Sequence, residues 1–163
     1  GVNPCTLLEG GTGSLSIQQE MPEFLPDRLE AGTHNMPGIA GLLAGVRYVR
    51  RRGLEAICLR RRGLARRAPE APRGLPGVTV YAQQGLHAQA GVLSFTAEGW
   101  ETEALGQALA ERGIAVRAGL HCAPLAHRSA GTLGSGTVRL SFSDFNTPEE
   151  VSSLVSAVRE ILA

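Results

Sequence analysis

Cys122 is the residue of this sequence whose neighbours best suit nucleophilic chemistry. His121 precedes it directly, and Arg117 lies five residues upstream, at the end of a short predicted strand. A free thiol has a pKa of about 8.5 and only its thiolate is a good nucleophile, so a reactive cysteine needs positive charge or hydrogen-bond donors nearby. Both neighbours can supply them. The alternative is an inert buried cysteine, which is the commoner case for a cysteine after a strand.

Arg139 is a candidate anion-binding residue, because it is predicted to lie mid-strand between apolar neighbours. Burying a guanidinium is costly unless it meets an anion, and its planar fork matches an amino-acid carboxylate with two hydrogen bonds. The alternative is an internal salt bridge to Asp144 or Glu30. His121 also has two interpretations, since it could shuttle a proton or serve only as a structural donor.

The remaining histidines and the cysteines do not form a metal-binding pattern. The other histidines show no ligand spacing relative to Cys122, and we expect no metal site. They are His34, His87 and His127. The three cysteines are too irregularly spaced for a disulfide framework or a paired zinc site, so we expect reduced thiols, with Cys58 buried on a helix and Cys5 near a frayed terminus.

The composition is that of an ordinary globular protein. The 163 residues are 43% hydrophobic and 19% charged, which argues against disorder. No apolar run approaches the roughly 18 residues of a membrane span, and the N-terminus has no signal pattern, so we expect a cytoplasmic protein. The sequence does not begin with Met and opens in a Gly-rich stretch, and we expect residues upstream of it.

The basic residues are all arginines, and no lysine occurs in the sequence. Many of the sixteen lie between Arg47 and Arg73, a stretch that could bind phosphates or nucleic acid. Tyr48 is the one aromatic residue interleaved there, which leaves little for base stacking. We therefore favour a solvated helical face, and nucleic acid is an unlikely partner.

Helices are predicted around a mixed set of short strands. One helix covers about 36–52 with Asn35 as its N-cap, and its glycines indicate tight burial. A second starts at Leu54, interrupted near Gly63, and a third covers 101–112. The most secure helix is the last, where Thr147, Pro148 and Glu150 occupy the N-cap, N1 and N3 positions and complete a capping box.

The predicted strands are 78–81, 91–95, 114–117 and 138–142, with a loop rich in Gly, Ala and Ser at 123–136. Together with the helices they give an α/β fold class, or α+β within the C-terminal region.

Three stretches resemble the fold-type I, class V aminotransferase superfamily, within it the cysteine desulfurase and selenocysteine lyase branch. They are DRLEAGTHN at 27–35, RAGLHCAP at 117–124 and VRLSFSDFNT at 138–147. Each alone is modest evidence, but their order and spacing cover nearly the whole chain. The resemblance implies an incomplete cofactor-binding large domain at 1–53 and a small C-terminal domain at 54–163.

The resemblance also implies roles for particular residues. Cys122 matches the cysteine that takes sulfur from the substrate as a persulfide, and Arg139 matches the carboxylate clamp, with His121 and Arg117 beside them. Gly32 and Thr33 would contact the phosphate of pyridoxal 5'-phosphate in the neighbouring subunit of a homodimer. A plain turn before a helix is the alternative for this pair.

The implied reaction converts L-cysteine to L-alanine, with a sulfur-acceptor protein and iron–sulfur cluster assembly downstream. The family's cofactor-holding lysine would lie upstream, since this chain has none, so we expect the chain alone to be inactive. Other interpretations are a class V lyase or aminotransferase with an incidental cysteine, or a noncatalytic nucleic-acid-binding or interaction module.

Overall fold

The computed structural model describes residues 5–11, 13–15, 17–68, 75–82 and 89–162. His87 lies outside these residues. The chain divides into two compact units, Gly1–Arg51 and Arg52–Ala163.

The first unit contains one short 3-10 turn at Asp27–Leu29 and most of helix α1, Met36–Arg52. Asn35 caps α1, since its side-chain oxygen accepts a 3.0 Å hydrogen bond from the amide of Gly38. The prediction of a tightly buried helix is wrong for the chain as it stands. No residue of α1 is buried, and Leu42 is 68% exposed.

The second unit is built on a three-stranded antiparallel sheet in the order β1-β2-β3, where β1 is Val78–Tyr81, β2 is Val92–Ala97 and β3 is Val138–Ser141. Its helices are α2 (Leu54–Arg67), α3 (Thr102–Ala110), α4 (Pro124–Ser129) and α5 (Pro148–Leu162). The predicted mixed α+β class is confirmed, and α2 runs through Gly63 without a break.

One face of the sheet forms the core. The register pairs Leu93 with Leu140 and Phe95 with Val138, and all four side chains are buried. Helices α3 and α5 add residues such as Leu109 to the same cluster. Fully burying a side chain of this size contributes about 1.5–3 kcal/mol, so this face holds the sheet in place.

The opposite face of the sheet is half-buried and more polar. It carries Ser94 on β2, which pairs with Tyr81 on β1 and with Arg139 on β3. The predicted strand at 114–117 is reduced to one bridge, in which Arg117 pairs with Arg139. Directly opposed residues share a face of the sheet, so Arg139 and Arg117 lie side by side on the same face as Ser94.

The start of α5 matches the sequence prediction in detail. The amide of Glu150 donates to the Thr147 hydroxyl at 3.2 Å, and the Glu150 carboxylate accepts from the amide of Thr147 at 3.0 Å. This reciprocal pair satisfies two amides that the first turn would leave without partners. It fixes where α5 begins after β3.

Candidate active site

Arg117 and Arg139 form a pair of like charges at the edge of the sheet. Their backbones exchange both hydrogen bonds, at 3.1 and 2.7 Å, which makes them direct cross-strand neighbours. Like charges placed directly opposite each other destabilise a sheet unless an anion lies between them. In the part of the chain that the structure describes, neither forms an ion pair with a carboxylate.

The Arg139 side chain has an unsatisfied buried donor. Its Nε is buried and has no hydrogen-bond partner among the described residues. The alternative of an internal salt bridge is not realised: Asp144 binds Arg52 at 2.9 Å, and Glu30 pairs with His34 at 3.2 Å. An unpaired donor of this kind costs about 1–3 kcal/mol, a cost that a bound anion would remove.

Cys122 lies beside this arginine pair. Nη2 of Arg117 is 3.5 Å from the Cys122 sulfur, and Cys122 is exposed, not buried. At this distance the guanidinium can donate a hydrogen bond to the sulfur that would react. The structure therefore brings together a thiol and two cations that the sequence placed within 23 residues of one another.

The backbone that presents the thiol is strained. His121 and Cys122 have φ angles of 54° and 58°, in the left-handed region that non-glycine residues seldom adopt. Such residues cost of order 1–3 kcal/mol each and persist only where the surroundings hold them. The conformation turns the chain out of the sheet edge between Arg117 and helix α4.

The His121 ring contacts the residue that precedes β3, Thr137. Its Nε2 lies 3.0 Å from the Thr137 hydroxyl, while its Nδ1 is buried without a partner among the described residues. Burial lowers the pKa of His121 below 6.5, and the charges of Arg139, His127 and Arg117 lower it further. The imidazole is therefore mainly neutral at neutral pH, so one ring nitrogen is a donor and the other an acceptor.

The loop after Cys122 is more ordered than its composition suggested. Residues Pro124–Ser129, within the predicted loop, form α4, and proline in the first turn of a helix is the local signal for it. Only glycine fits at position 136, because its φ is 65° and a Cβ there would lie 2.8 Å from the Cα of Gly119. Gly119 and Thr137 exchange two backbone hydrogen bonds of 3.1 Å, which hold the end of this loop against the segment that leads to Cys122.

Gly32 and Thr33 lie in the first unit. Gly32 has a φ of 82°, which suits glycine, and its amide donates to the carbonyl of Gly11 at 2.8 Å. A phosphate could use that amide only after this bond is given up. Thr33 is exposed and lines a hollow of about 440 Å³ with residues from 5–8 and 28–35.

Two predictions about the other residues of the chain are corrected. Cys58 is exposed on α2, not buried. The arginine stretch is not simply a solvated face, because three of its members hold the turn after β3: Arg52 binds the Asp144 carboxylate, Arg60 binds the carbonyls of Asp144 and Asn146, and Arg61 binds that of Phe142.

The described residues contain neither a metal-binding cluster nor a membrane-spanning helix. No group of three histidine, cysteine or acidic side chains is arranged to hold a metal ion. No helix within them is long and apolar enough to cross a membrane.

Sequence and structure comparisons point to one family. The family model described as "Aminotransferase class-V" matches residues 4–154. A cysteine desulfurase of Synechococcus elongatus is 42% identical over 147 residues, which are 90% of this chain and 23% of that protein.

Solved structures agree. An apo cysteine desulfurase from Thermococcus onnurineus NA1 aligns with a TM-score of 0.75 and 38% identity over 84% of this chain and 34% of its own. A cysteine desulfurase from Escherichia coli in an S-sulfonic acid form aligns with a TM-score of 0.73 and 33% identity, over 85% of this chain and 34% of its own. The chain spans between 21% and 41% of the length of the curated relatives compared.

Proposed function

The chain belongs to the class-V aminotransferase family and to its cysteine desulfurase branch, and from that premise we propose that it is part of an enzyme that converts L-cysteine to L-alanine and collects the sulfur as a persulfide on Cys122. One observation carries the proposal: two arginines without carboxylate partners among the described residues stand beside an exposed thiol, with 3.5 Å between Arg117 Nη2 and the Cys122 sulfur.

Arg139 binds the substrate carboxylate in this proposal. Its buried, unpaired Nε and planar fork suit a two-pronged contact, and its like-charged neighbour Arg117 needs an anion nearby. An amino acid bound there is held by the end that does not react. Its side-chain sulfur is then free to meet the thiol.

Cys122 takes the sulfur atom. Its sulfur, in contact with Arg117, attacks the sulfur of the substrate as a thiolate; a sulfur–sulfur bond forms and the carbon–sulfur bond of the substrate breaks. The electron pair of the broken bond stays with the carbon, which takes up a proton and becomes the methyl group of alanine. Neutral His121 lies next to the thiol in sequence and is a candidate to carry that proton, although its one hydrogen bond seen here is to Thr137.

The chain supplies residues that suit the substrate and the phosphate of pyridoxal 5'-phosphate, but not the lysine that would attach the cofactor. The unpaired Nε of Arg139 suits the substrate that the cofactor activates, and exposed Thr33 with Gly32 would contact the phosphate of a neighbouring subunit once the Gly32 amide leaves Gly11. No lysine is present to attach the cofactor covalently, so the attachment site lies outside this chain. When bound, the cofactor supplies the electron sink for bond breaking.

The proposal extends to the setting of the whole protein. It would be a homodimer that delivers sulfur to an acceptor protein, as in iron–sulfur cluster assembly, and it would work in the cytoplasm, where thiols stay reduced. Nucleic-acid binding has less support, because three arginines of the basic stretch already bind residues 142–146.

Two alanine variants of the complete enzyme test the proposal. Cys122→Ala should keep the cofactor and bind cysteine but lose persulfide and alanine production, because the thiol is needed only after the substrate is bound. Cys58→Ala, which removes another exposed cysteine, should leave turnover unchanged. Alanine and persulfide formed by Cys122→Ala at the original rate would mean that the cysteine is incidental.

A second test uses the chain alone. After mixing with pyridoxal phosphate and desalting, it should retain no covalently bound cofactor, because it has no lysine. Borohydride treatment that attached the cofactor to a side chain of this protein would overturn the assignment of the attachment site.

A further inference from the structure

His127 is buried next to His121 of the candidate site, and no role is predicted for it from the sequence. Its side chain is on α4, five residues after Cys122, and it is 6% exposed. Its Nδ1 is 2.8 Å from the hydroxyl of Thr132, and its carbonyl accepts a 2.8 Å hydrogen bond from the Thr132 amide. Thr132 is itself 2% exposed. This buried residue therefore holds His127 at both its ring and its backbone carbonyl.

The ring of His127 packs against the ring of His121. Their centroids are 5.4 Å apart and their planes are tilted by 48°, which is within the usual geometry of interacting aromatic rings. On its other side, His121 contacts the Thr137 hydroxyl at 3.0 Å. The His121 side chain is thus fixed by Thr137 through a hydrogen bond and by His127 through ring packing.

A cavity of about 210 Å³ lies beside the two rings, lined by them and mainly by small residues such as Ala126 and Ala130. It leaves room for the His121 ring to move if His127 no longer packs against it. Movement of that ring would relax the left-handed backbone at His121 and Cys122, since strained residues revert when their surroundings stop holding them.

We propose that His127 is a positioning residue: held by Thr132, it fixes the ring of His121 and thereby the strained turn that keeps the Cys122 sulfur beside Arg117. The proposal rests on the function proposed above, because it explains how the reactive thiol is kept in place. It assigns His127 no contact with the substrate. Its effect reaches Cys122 only through His121.

The experiment compares Thr132→Val with Thr132→Ser and His127→Ala in this chain. Valine keeps the shape of threonine and removes the hydroxyl, whereas serine keeps the hydroxyl. Each protein is treated with limiting iodoacetamide at neutral pH, and the labelling rate of Cys122 is divided by that of exposed Cys58 in the same molecule. Long-range proton–nitrogen NMR spectra of the imidazole rings report the state of His121 independently of the thiol.

Thr132→Val and His127→Ala should lower the labelling ratio by roughly threefold to tenfold, which corresponds to the loss of about one hydrogen bond. Both should also shift or broaden the His121 ring signals. Thr132→Ser should restore the ratio to within about twofold of the original protein, a rescue that general loss of packing would not give. If His127→Ala fails to fold, the valine and serine pair still decides.

Unchanged His121 signals and an unchanged ratio in Thr132→Val would overturn the positioning role and leave the proposed function intact. The converse failure is separable as well. If Cys122 of the original protein reacts no faster than Cys58, the proposed function fails, while the His121 signals of the valine and serine variants still support or overturn the role of His127.

Discussion

Two sets of arginines in the second unit differ in what they contact. Arg52, Arg60 and Arg61 donate to the carboxylate and carbonyls of residues 142–146, so each of them has a partner. Arg117 and Arg139 stand opposite each other on the sheet, make no ion pair among the described residues and leave one buried nitrogen without a partner.

The difference separates structural arginines from candidate functional ones. The first set satisfies carbonyl groups after β3 and stabilises the fold through charged hydrogen bonds. In the second set, the guanidinium groups of Arg117 and Arg139 repel each other, and their pairing becomes favourable only when an anion is bound. Residue type and burial alone do not make this distinction, because Arg60 and Arg139 are both half-buried. The partners decide it.

The largest effect that tests this difference is expected at Arg139. In the complete enzyme, Arg139→Lys keeps the charge but loses the two-pronged geometry, which should cost about 1.5–3 kcal/mol of substrate binding. The apparent affinity for L-cysteine should fall by roughly tenfold to a hundredfold, measured by steady-state kinetics. Arg60→Lys is the matched control and should leave affinity unchanged. Unchanged kinetics in both variants would make Arg139 a structural residue.

For the free energy of unfolding, we expect the larger effect from the first set of arginines, which includes Arg60. Arg60→Ala removes two hydrogen bonds, of 2.9 and 2.8 Å, to the carbonyls of Asp144 and Asn146. The free energy of unfolding in urea should fall by about 1–3 kcal/mol. Arg66→Ala, on the exposed side of the same helix, should change it by less than about 0.5 kcal/mol. Equal losses in the two variants would remove the distinction between partnered and solvated arginines.

A pH effect should follow from the charges around His121. Burial lowers the pKa of His121 below 6.5, and the nearby arginines lower it further. The unfolded chain then binds more protons than the folded chain between 6.5 and that lower pKa. The contribution of His121 to the free energy of unfolding is fully present above pH 6.5. It is lost as the pH falls from 6.5 through the lowered pKa of His121.

Urea unfolding at pH 7.5 and pH 5.5 measures this loss. His121→Asn should reduce the difference between the two conditions, because it removes the titrating ring. Arg139→Gln should reduce it in part, and Arg60→Gln should not, since Arg60 is not among the charges that act on His121. An identical pH dependence in all three variants would show that the second set of arginines does not act on this ring.

Much of the fold could be predicted because its signals are local. The Thr147, Pro148 and Glu150 pattern specified the start of α5, and alternating apolar residues specified β2 and β3, with ends shifted by one or two residues. Helix α4 was not predicted because its six residues are too few to show helical periodicity. Pro124 in its first turn is the local signal for it.

The parts that failed depend on contacts distant in sequence. Cys58 was expected to be buried because Ile57 is apolar, yet burial is decided by what packs on α2. The helix at 36–52 was expected to be buried because of its glycines, and no residue in it is. The sequence placed Arg117, His121, Cys122 and Arg139 together as candidates, but the supporting role of Thr132 and Thr137 needed coordinates, since hydroxyl partners leave no periodic signal.

The most direct measurement is the iodoacetamide labelling of Cys122 relative to Cys58 in three proteins: the original chain, Arg117→Gln and Arg60→Gln. Cys58 and Cys122 are both exposed, and among the contacts of the described residues a guanidinium lies against the sulfur of Cys122, at 3.5 Å. A guanidinium near the sulfur is worth about 1 kcal/mol in water, which is roughly a fivefold change in rate. Cys122 should react first in the original chain and in Arg60→Gln, and Arg117→Gln should reduce its lead by roughly threefold to fivefold. Labelling of Cys122 no faster than Cys58, or an equal loss in the two glutamine variants, would contradict the account.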